Sequence, residues 1–132
     1  MTALSADRAV VRRSGETFSF PVAASVTCYQ GGLAVLDSSG DVKPAAVATG
    51  LIPAGIFTAT VDNASGQAGD VTATVQPGTF RFGNSAGGDE ITKAEIGDTC
   101  YLVDDQTVAK TNGSSTRSAA GQIVDVDTSG VW

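Results

Sequence analysis

The chain has 132 residues, the length of one domain, with 42% apolar residues, few aromatics and 16 glycines. Its net charge of −6 argues against a general affinity for nucleic acid, which needs clustered Lys and Arg. The absence of histidine removes the commonest general base, the Ser-His and Cys-His nucleophile pairs and the commonest zinc ligand. No apolar run approaches the roughly 20 residues that span a bilayer as a helix, and no signal-like segment opens the chain, so synthesis and retention in the cytosol are expected.

Residues 1–15 show no periodicity and read as an extended arm. They carry Asp7, Arg8, Arg12 and Arg13, a net of +2, whereas the remainder carries −8. A basic arm on an acidic body can orient the protein on an acidic partner; polar, loose termini are also common without such a role. Residues 16–132 read as a single β-rich domain. Phe18 to Val22 alternates apolar and polar and is expected as a strand, placed at an edge or strand end by Pro21. Gly31-Gly32 is a turn, Leu33 to Leu36 a short buried strand, and Asp37 to Asp41 a polar turn.

Phe57, Ala59 and Val61 alternate with Thr58 and Thr60, and Val71, Ala73 and Val75 with Thr72, Thr74 and Gln76, which predicts two strands with one buried and one wet face. Asp62 to Asp70 between them reads as a hairpin loop. After the Pro77-Gly78 turn, Phe80 to Phe82 is expected as a strand and residues 83–88 as a flexible loop. Phe18, Phe20, Phe80 and Phe82 are assigned to the core by their spacing. Thr92 and Glu95 match a capping box, and Gly97 limits it to one helical turn. Tyr101 to Val103 is a strand, Asp104 to Gln106 a turn, 111–118 a loop, and Ile123 to Val126 the last long strand. The expected fold is all-β, a small barrel or sandwich of short antiparallel strands with an extended N-terminal arm and at most one short helical turn.

The chain also echoes itself, in halves of about 16–83 and 89–132. Thr27-Cys28-Tyr29 recurs as Thr99-Cys100-Tyr101, Leu36-Asp37 as Val103-Asp104, and Ala54-Gly55 as Ala120-Gly121. Val61-Asp62 leading to Ser65-Gly66 recurs as Val126-Asp127 leading to Ser129-Gly130. The intervals differ, so the repeat is degraded. Cys28 and Cys100 lack a second ligand at metal-site spacing; free, buried thiols are the expectation in a reducing compartment, with a Cys28–Cys100 disulfide across a pseudo-symmetry axis as the alternative.

The acid pairs Asp104-Asp105, Asp125 with Asp127, and Asp89-Glu90 are the only candidates for two-carboxylate hydrolysis, yet no aromatic platform accompanies them. Asp37 to Asp41 and Asp62 to Ser65 offer oxygen ligands for calcium but lack the twelve-residue spacing with its closing Glu, and turn chemistry explains them. Gly31-Gly32 and Gly87-Gly88 have no following Lys-Ser or Lys-Thr and form no phosphate cradle. The chain is therefore expected not to be an enzyme and to hold no cofactor or metal.

The stretch Ile91 to Trp132, ITKAEIGDTCYLVDDQTVAKTNGSSTRSAAGQIVDVDTSGVW, resembles the C-terminal part of tailed-bacteriophage and prophage capsid cement, or head-decoration, proteins. The arm around Asp7-Arg8, the segment FSFPVAASVTCYQGGLAVLD and the segment ATGLIPAGIFTATVDNASGQAGDVTATVQPGTFRF resemble the same family in the same order. The resemblance implies a structural virion protein, assembled in the host bacterial cytoplasm, that binds the capsid exterior and stabilises contacts between major capsid subunits. It implies the major capsid protein and further copies of itself, as homodimer or homotrimer, as partners, without direct nucleic-acid or membrane binding. It transfers no catalytic residue. Arg8, Arg12 and Arg13 are the candidate capsid contacts. The alternative is a β-rich module on the virion surface that binds glycans or calcium.

Overall fold

The computed structural model describes residues 3–10, 13 and 15–132. Short strands dominate, as the alternating Thr-Val and Thr-Ala stretches require. In chain order they are β1 (Phe18–Pro21), β2 (Val26–Cys28), β3 (Leu33–Leu36), β4 (Val42–Pro44), β5 (Ile52–Phe57), β6 (Val61–Asn63), β7 (Thr72–Gln76), β8 (Gly83–Asn84), β9 (Thr99–Leu102), β10 (Thr107–Ala109), β11 (Ala119–Gln122), β12 (Val126–Asp127) and β13 (Gly130–Val131). The fold is all-β. Two open sheets, ordered β1-β7-β5-β3-β4 and β11-β9-β10-β8, are joined by two ribbons, β2-β6 and β12-β13. Pairing is antiparallel except between β8 and β10.

Each half is built alike: a sheet covered by a two-stranded ribbon, with apolar side chains between them. In the first half Val22, Cys28, Ala34, Val42, Phe57, Ala73 and Val75 are buried together, with Phe18 and Phe20 of β1 packed against them. In the second, Ile91, Cys100, Val108, Ile123, Val126 and Val131 form the core, with Phe82 alongside. Full burial of side chains of this size contributes roughly 1.5–3 kcal/mol each relative to exposure.

The echo in the sequence corresponds to real structural repetition. Asp37 and Asp104 each turn the chain back into a hairpin by accepting a backbone N–H two residues on, from Ser39 at 2.8 Å and Gln106 at 2.9 Å. The hairpins close on matching pairs, Leu36 opposite Val42 and Leu102 opposite Val108. Both Ala-Gly steps are β-bulges: Ala54 is squeezed out between the Ala34–Gly55 and Val35–Pro53 pairs, and Ala120 between the Cys100–Gly121 and Tyr101–Ala119 pairs. Gly55 has φ +121°, and a Cβ there would run into the Gln76 carbonyl, so only glycine fits. Asp62 in β6 and Asp127 at the end of β12 each lead a ribbon strand into the same kind of turn, accepting from the Ala64 and Ser129 N–H groups at 2.9 and 2.7 Å.

The Thr-Cys-Tyr tripeptides are not equivalent within this repetition. Matching the bulges pairs Cys100 with Ala34, whereas Cys28 lies in ribbon strand β2. The two cysteines sit in different cores and both are free thiols, so the alternative disulfide is not formed. Burial, and then the nearby Asp105 charge, pushes the Cys28 thiol up to about 11, which keeps it protonated and unreactive.

Several local expectations are corrected. The strand expected over 57–61 is broken, because Thr58 bonds back to the Thr74 carbonyl and the chain leaves the five-stranded sheet for the β2-β6 ribbon. Residues 62–70 therefore join different sheets and form no hairpin. Phe80 and Arg81 are not in a strand; Phe82 makes a two-way bridge to Val131, at 2.8 Å in each direction. The loop expected over 83–88 instead contains β8 and the start of a 3-10 turn at Gly87–Asp89. The capping-box turn is present at Lys93–Glu95, with Thr92 and Glu95 bonded reciprocally. The strand expected over Ile123 to Val126 is reduced to the two-residue β12, which begins at Val126.

The halves meet at a third cluster, in which Leu33, Val35, Ala45 and Leu51 of the first half bury Leu102 of the second. Polar groups pin this seam. The Leu33 N–H donates to the Asp105 carbonyl at 2.7 Å. The buried Ser118 hydroxyl accepts from the Leu51 N–H at 3.0 Å and donates to the Ala48 carbonyl at 2.7 Å. Removing it in Ser118→Ala orphans one backbone donor and one acceptor, and is expected to cost about 1–3 kcal/mol. Leu102→Ala opens a cavity at the same seam and is expected to cost about 2–5 kcal/mol. Denaturant unfolding of both variants, followed by far-ultraviolet circular dichroism, checks these values; a Ser118→Ala protein as stable as the parent would contradict the seam's role.

Candidate functional site

The arm is the first candidate. Its described residues form no strand or helix and are exposed, including the apolar Leu4 and Val10, at 70% and 69%. Arg8 and Arg13 are exposed and, among the described residues, take part in no ion pair. Arg12 lies outside the described residues.

Four of the six carboxylates assigned to candidate acid pairs, those of Asp89, Asp104, Asp125 and Asp127, are held by hydrogen bonds within local structure. Asp104 organises the hairpin turn, and the Asp105 carbonyl joins the seam. Asp125 accepts from the Val126 N–H at 2.9 Å. Asp89 takes the Thr111 hydroxyl and the Arg117 guanidinium, the latter at 3.2 Å, and these contacts hold its carboxyl below the usual range, the Thr111 bond most strongly. The candidate calcium ligands are turn acceptors: Asp37 takes the Ser39 and Asp41 N–H groups, and Asp62 the Ala64 N–H and the Thr27 hydroxyl. Among the described residues no three His, Cys, Asp or Glu side chains are grouped to hold a metal ion.

The residue types did not foretell a second surface feature. A shallow apolar groove of about 140 Å³ runs along the seam, lined by Leu33, Phe80, Phe82, Ala120, Val124 and Trp132. The second bulge borders it, and Gly121 there leaves open the space a side chain would take. The Cys100 thiol faces this groove and donates to the Gly121 carbonyl at 3.5 Å; burial raises its pKa.

A clasp holds Trp132, one wall of the groove. The Trp132 indole N–H donates to Asp127 at 2.9 Å, and the Arg81 guanidinium lies 5.9 Å from the centre of the Trp132 ring. The other Asp127 oxygen accepts the Ser129 and Gly130 N–H groups at 2.7 and 3.0 Å. The main chain adds a bond from the Trp132 N–H to the Asp125 carbonyl and one from the Val124 N–H to the Trp132 carbonyl, both at 2.8 Å. The indole bond and then the turn N–H groups hold the Asp127 carboxyl below the usual range, with a smaller contribution from the Arg81 charge.

No protein-family model, curated protein or solved structure was found to match the chain.

The clasp gives a pH dependence of definite sign. The folded state favours the Asp127 carboxylate, so its contribution is fully present above the unfolded pKa of about 3.9 and is lost as pH falls through the lower folded value. Trp132 is the sole tryptophan, so its fluorescence reports this bond. The emission should shift only in acid below the ordinary carboxylate range, and Asp127→Ala should show the shifted spectrum at neutral pH; a spectrum unchanged by that substitution would contradict the clasp.

Proposed function

We propose that the protein is a structural virion component that binds the outer surface of an assembled bacteriophage capsid and stabilises contacts between major capsid subunits. The observation that carries this reading is the basic arm, with Arg8 and Arg13 exposed, on an acidic double-β body in which the Asp104 and Asp127 carboxylates serve turns and Asp89 an ion pair. The resemblance of Ile91 to Trp132, and of the preceding segments in order, to head-decoration proteins supports it.

On this reading the arm anchors and the body spans. Arg8, Arg12 and Arg13 meet an acidic surface of the shell, while the body carries −8 and faces away from it. Several copies in a homodimer or homotrimer engage neighbouring shell subunits together, so each single contact can be weak while the assembly holds by raised effective concentration. Oligomer contacts would also cover edge strands such as β1, whose Pro21 supplies no N–H to a further strand.

Deleting residues 1–15, or replacing Arg8, Arg12 and Arg13 by Glu, is expected to leave the circular dichroism and melting of the body unchanged and to abolish co-sedimentation with purified capsids. Added salt should weaken binding of the parent protein, because the screening length falls from about 8 Å at physiological ionic strength to about 3 Å at 1 M. Full capsid occupancy by the arm-deleted protein would overturn the assignment. A melting-temperature shift on adding calcium or sugars would favour a ligand-binding module instead.

A further inference from the structure

The chain contains three asparagines, Asn63, Asn84 and Asn112, and the fold treats them differently. Asn63 is buried, and its amide nitrogen donates to the Ala23 and Gln67 carbonyls at 2.9 and 3.0 Å. Asn84 is gripped from both sides by Ile91, donating to its carbonyl at 2.7 Å and accepting its N–H at 2.9 Å. Asn112 is exposed, its side-chain nitrogen donates no hydrogen bond among the described residues, and the next residue is glycine.

We propose that the Asn112-Gly113 step is a site of spontaneous deamidation in the folded protein. The Gly113 backbone nitrogen is the nucleophile. Glycine brings no side chain of its own beside it, and its N–H is held only by a long 3.4 Å bond to the Thr111 hydroxyl, while the Thr116 and Arg117 side chains pack on the Cα side. After loss of its proton to hydroxide it attacks Asn112 Cγ. The new C–N bond closes a five-membered succinimide, and the Cγ–Nδ2 bond breaks as Nδ2 takes a proton and leaves as ammonia. Water then opens the ring at either carbonyl, giving aspartate or isoaspartate. The Ser115 N–H, 3.2 Å from Asn112 Oδ1, draws electron density from Cγ and steadies the oxygen as charge develops on it. Gly113 has φ +62°, and the adjacent Ser114 and Ser115 also lie at positive φ, so the loop already stores backbone strain.

The site is mechanically connected. The Asn112 carbonyl accepts the Thr116 and Arg117 N–H groups, both at 3.1 Å. Arg117 reaches Asp89 and the Thr111 carbonyl, and Ser118 follows as the polar pin of the seam. Isoaspartate inserts a methylene into the main chain at this point and displaces the carbonyl that both N–H groups use. Conversion thus acts as a slow chemical clock that loosens the attachment between the halves.

The test is incubation of the folded full chain in mildly alkaline buffer, followed by trypsin digestion and mass spectrometry. Cleavage after Lys110 and Arg117 isolates Thr111 to Arg117. This peptide should gain the mass of one amide-to-acid exchange and become a substrate for an isoaspartyl methyltransferase, at least an order of magnitude faster than the peptides holding Asn63 or Asn84. Asn112→Ser, which keeps a short acceptor for the Ser115 N–H, should abolish the increment and retain the parent melting temperature after the same incubation, while the parent's falls. Equal conversion at the three asparagines, or an Asn112 peptide that keeps its mass, would overturn the proposal.

Discussion

The structure depends on the seam between its two halves. Each half is a small sheet under a short ribbon, and a unit of that size buries too little apolar surface to stand securely alone. The seam supplies what each lacks. Leu102 of the second half enters a pocket made by Leu33, Val35, Ala45 and Leu51 of the first, and the Ser118 hydroxyl satisfies two backbone groups that the pocket would otherwise strand away from water. The apolar contact provides the driving force, and the Ser118 and Asp105 bonds fix the register, because a slip of one residue would leave the Leu51 and Leu33 N–H groups without acceptors.

The repetition explains why the seam has its shape. Two hairpins turned by Asp37 and Asp104, and two strands kinked at Ala54-Gly55 and Ala120-Gly121, lie on its two sides. The second of these kinks, at Ala120-Gly121, borders the apolar groove. The repetition is incomplete where the ribbons are concerned: β6 pairs with the upstream β2, whereas β12 pairs with the downstream β13. The second ribbon is therefore short, and the Trp132 clasp with Asp127 and Arg81 secures it.

Much of this was legible in the residues, and the failures have physical causes. Alternation located β1 and β7, whose faces are half-wet, and the Thr92 and Glu95 spacing located a helical turn, because local side-chain to backbone bonds decide such a turn. Alternation over Phe57 to Val61 continued through a point where the chain changes sheets; the period-two pattern records which side faces a core but not which sheet supplies it. The Asp-turn and Ala-Gly echoes marked equivalent positions, whereas the more conspicuous Thr-Cys-Tyr echo did not, since Cys28 serves a ribbon and Cys100 a sheet. Ser118 carried no signal: it sits in a polar stretch, and its burial follows from long-range contact with Ala48 and Leu51. The arm was legible in the missing periodicity of residues 1–15, and its basic Arg8 and Arg13 are exposed.

On the proposed function the division of labour is simple. The body is an acidic spacer in which Asp37, Asp62, Asp104 and Asp127 serve turns, and the arm carries the charge that an acidic shell surface would attract. The most direct measurement is a reconstruction of capsids saturated with the protein. The account predicts density for the body standing on the outer surface, with residues 3–15 running from β1 into contact with the major capsid subunits. Density in which the Trp132 groove lies against the shell and the arm points into solvent would contradict it.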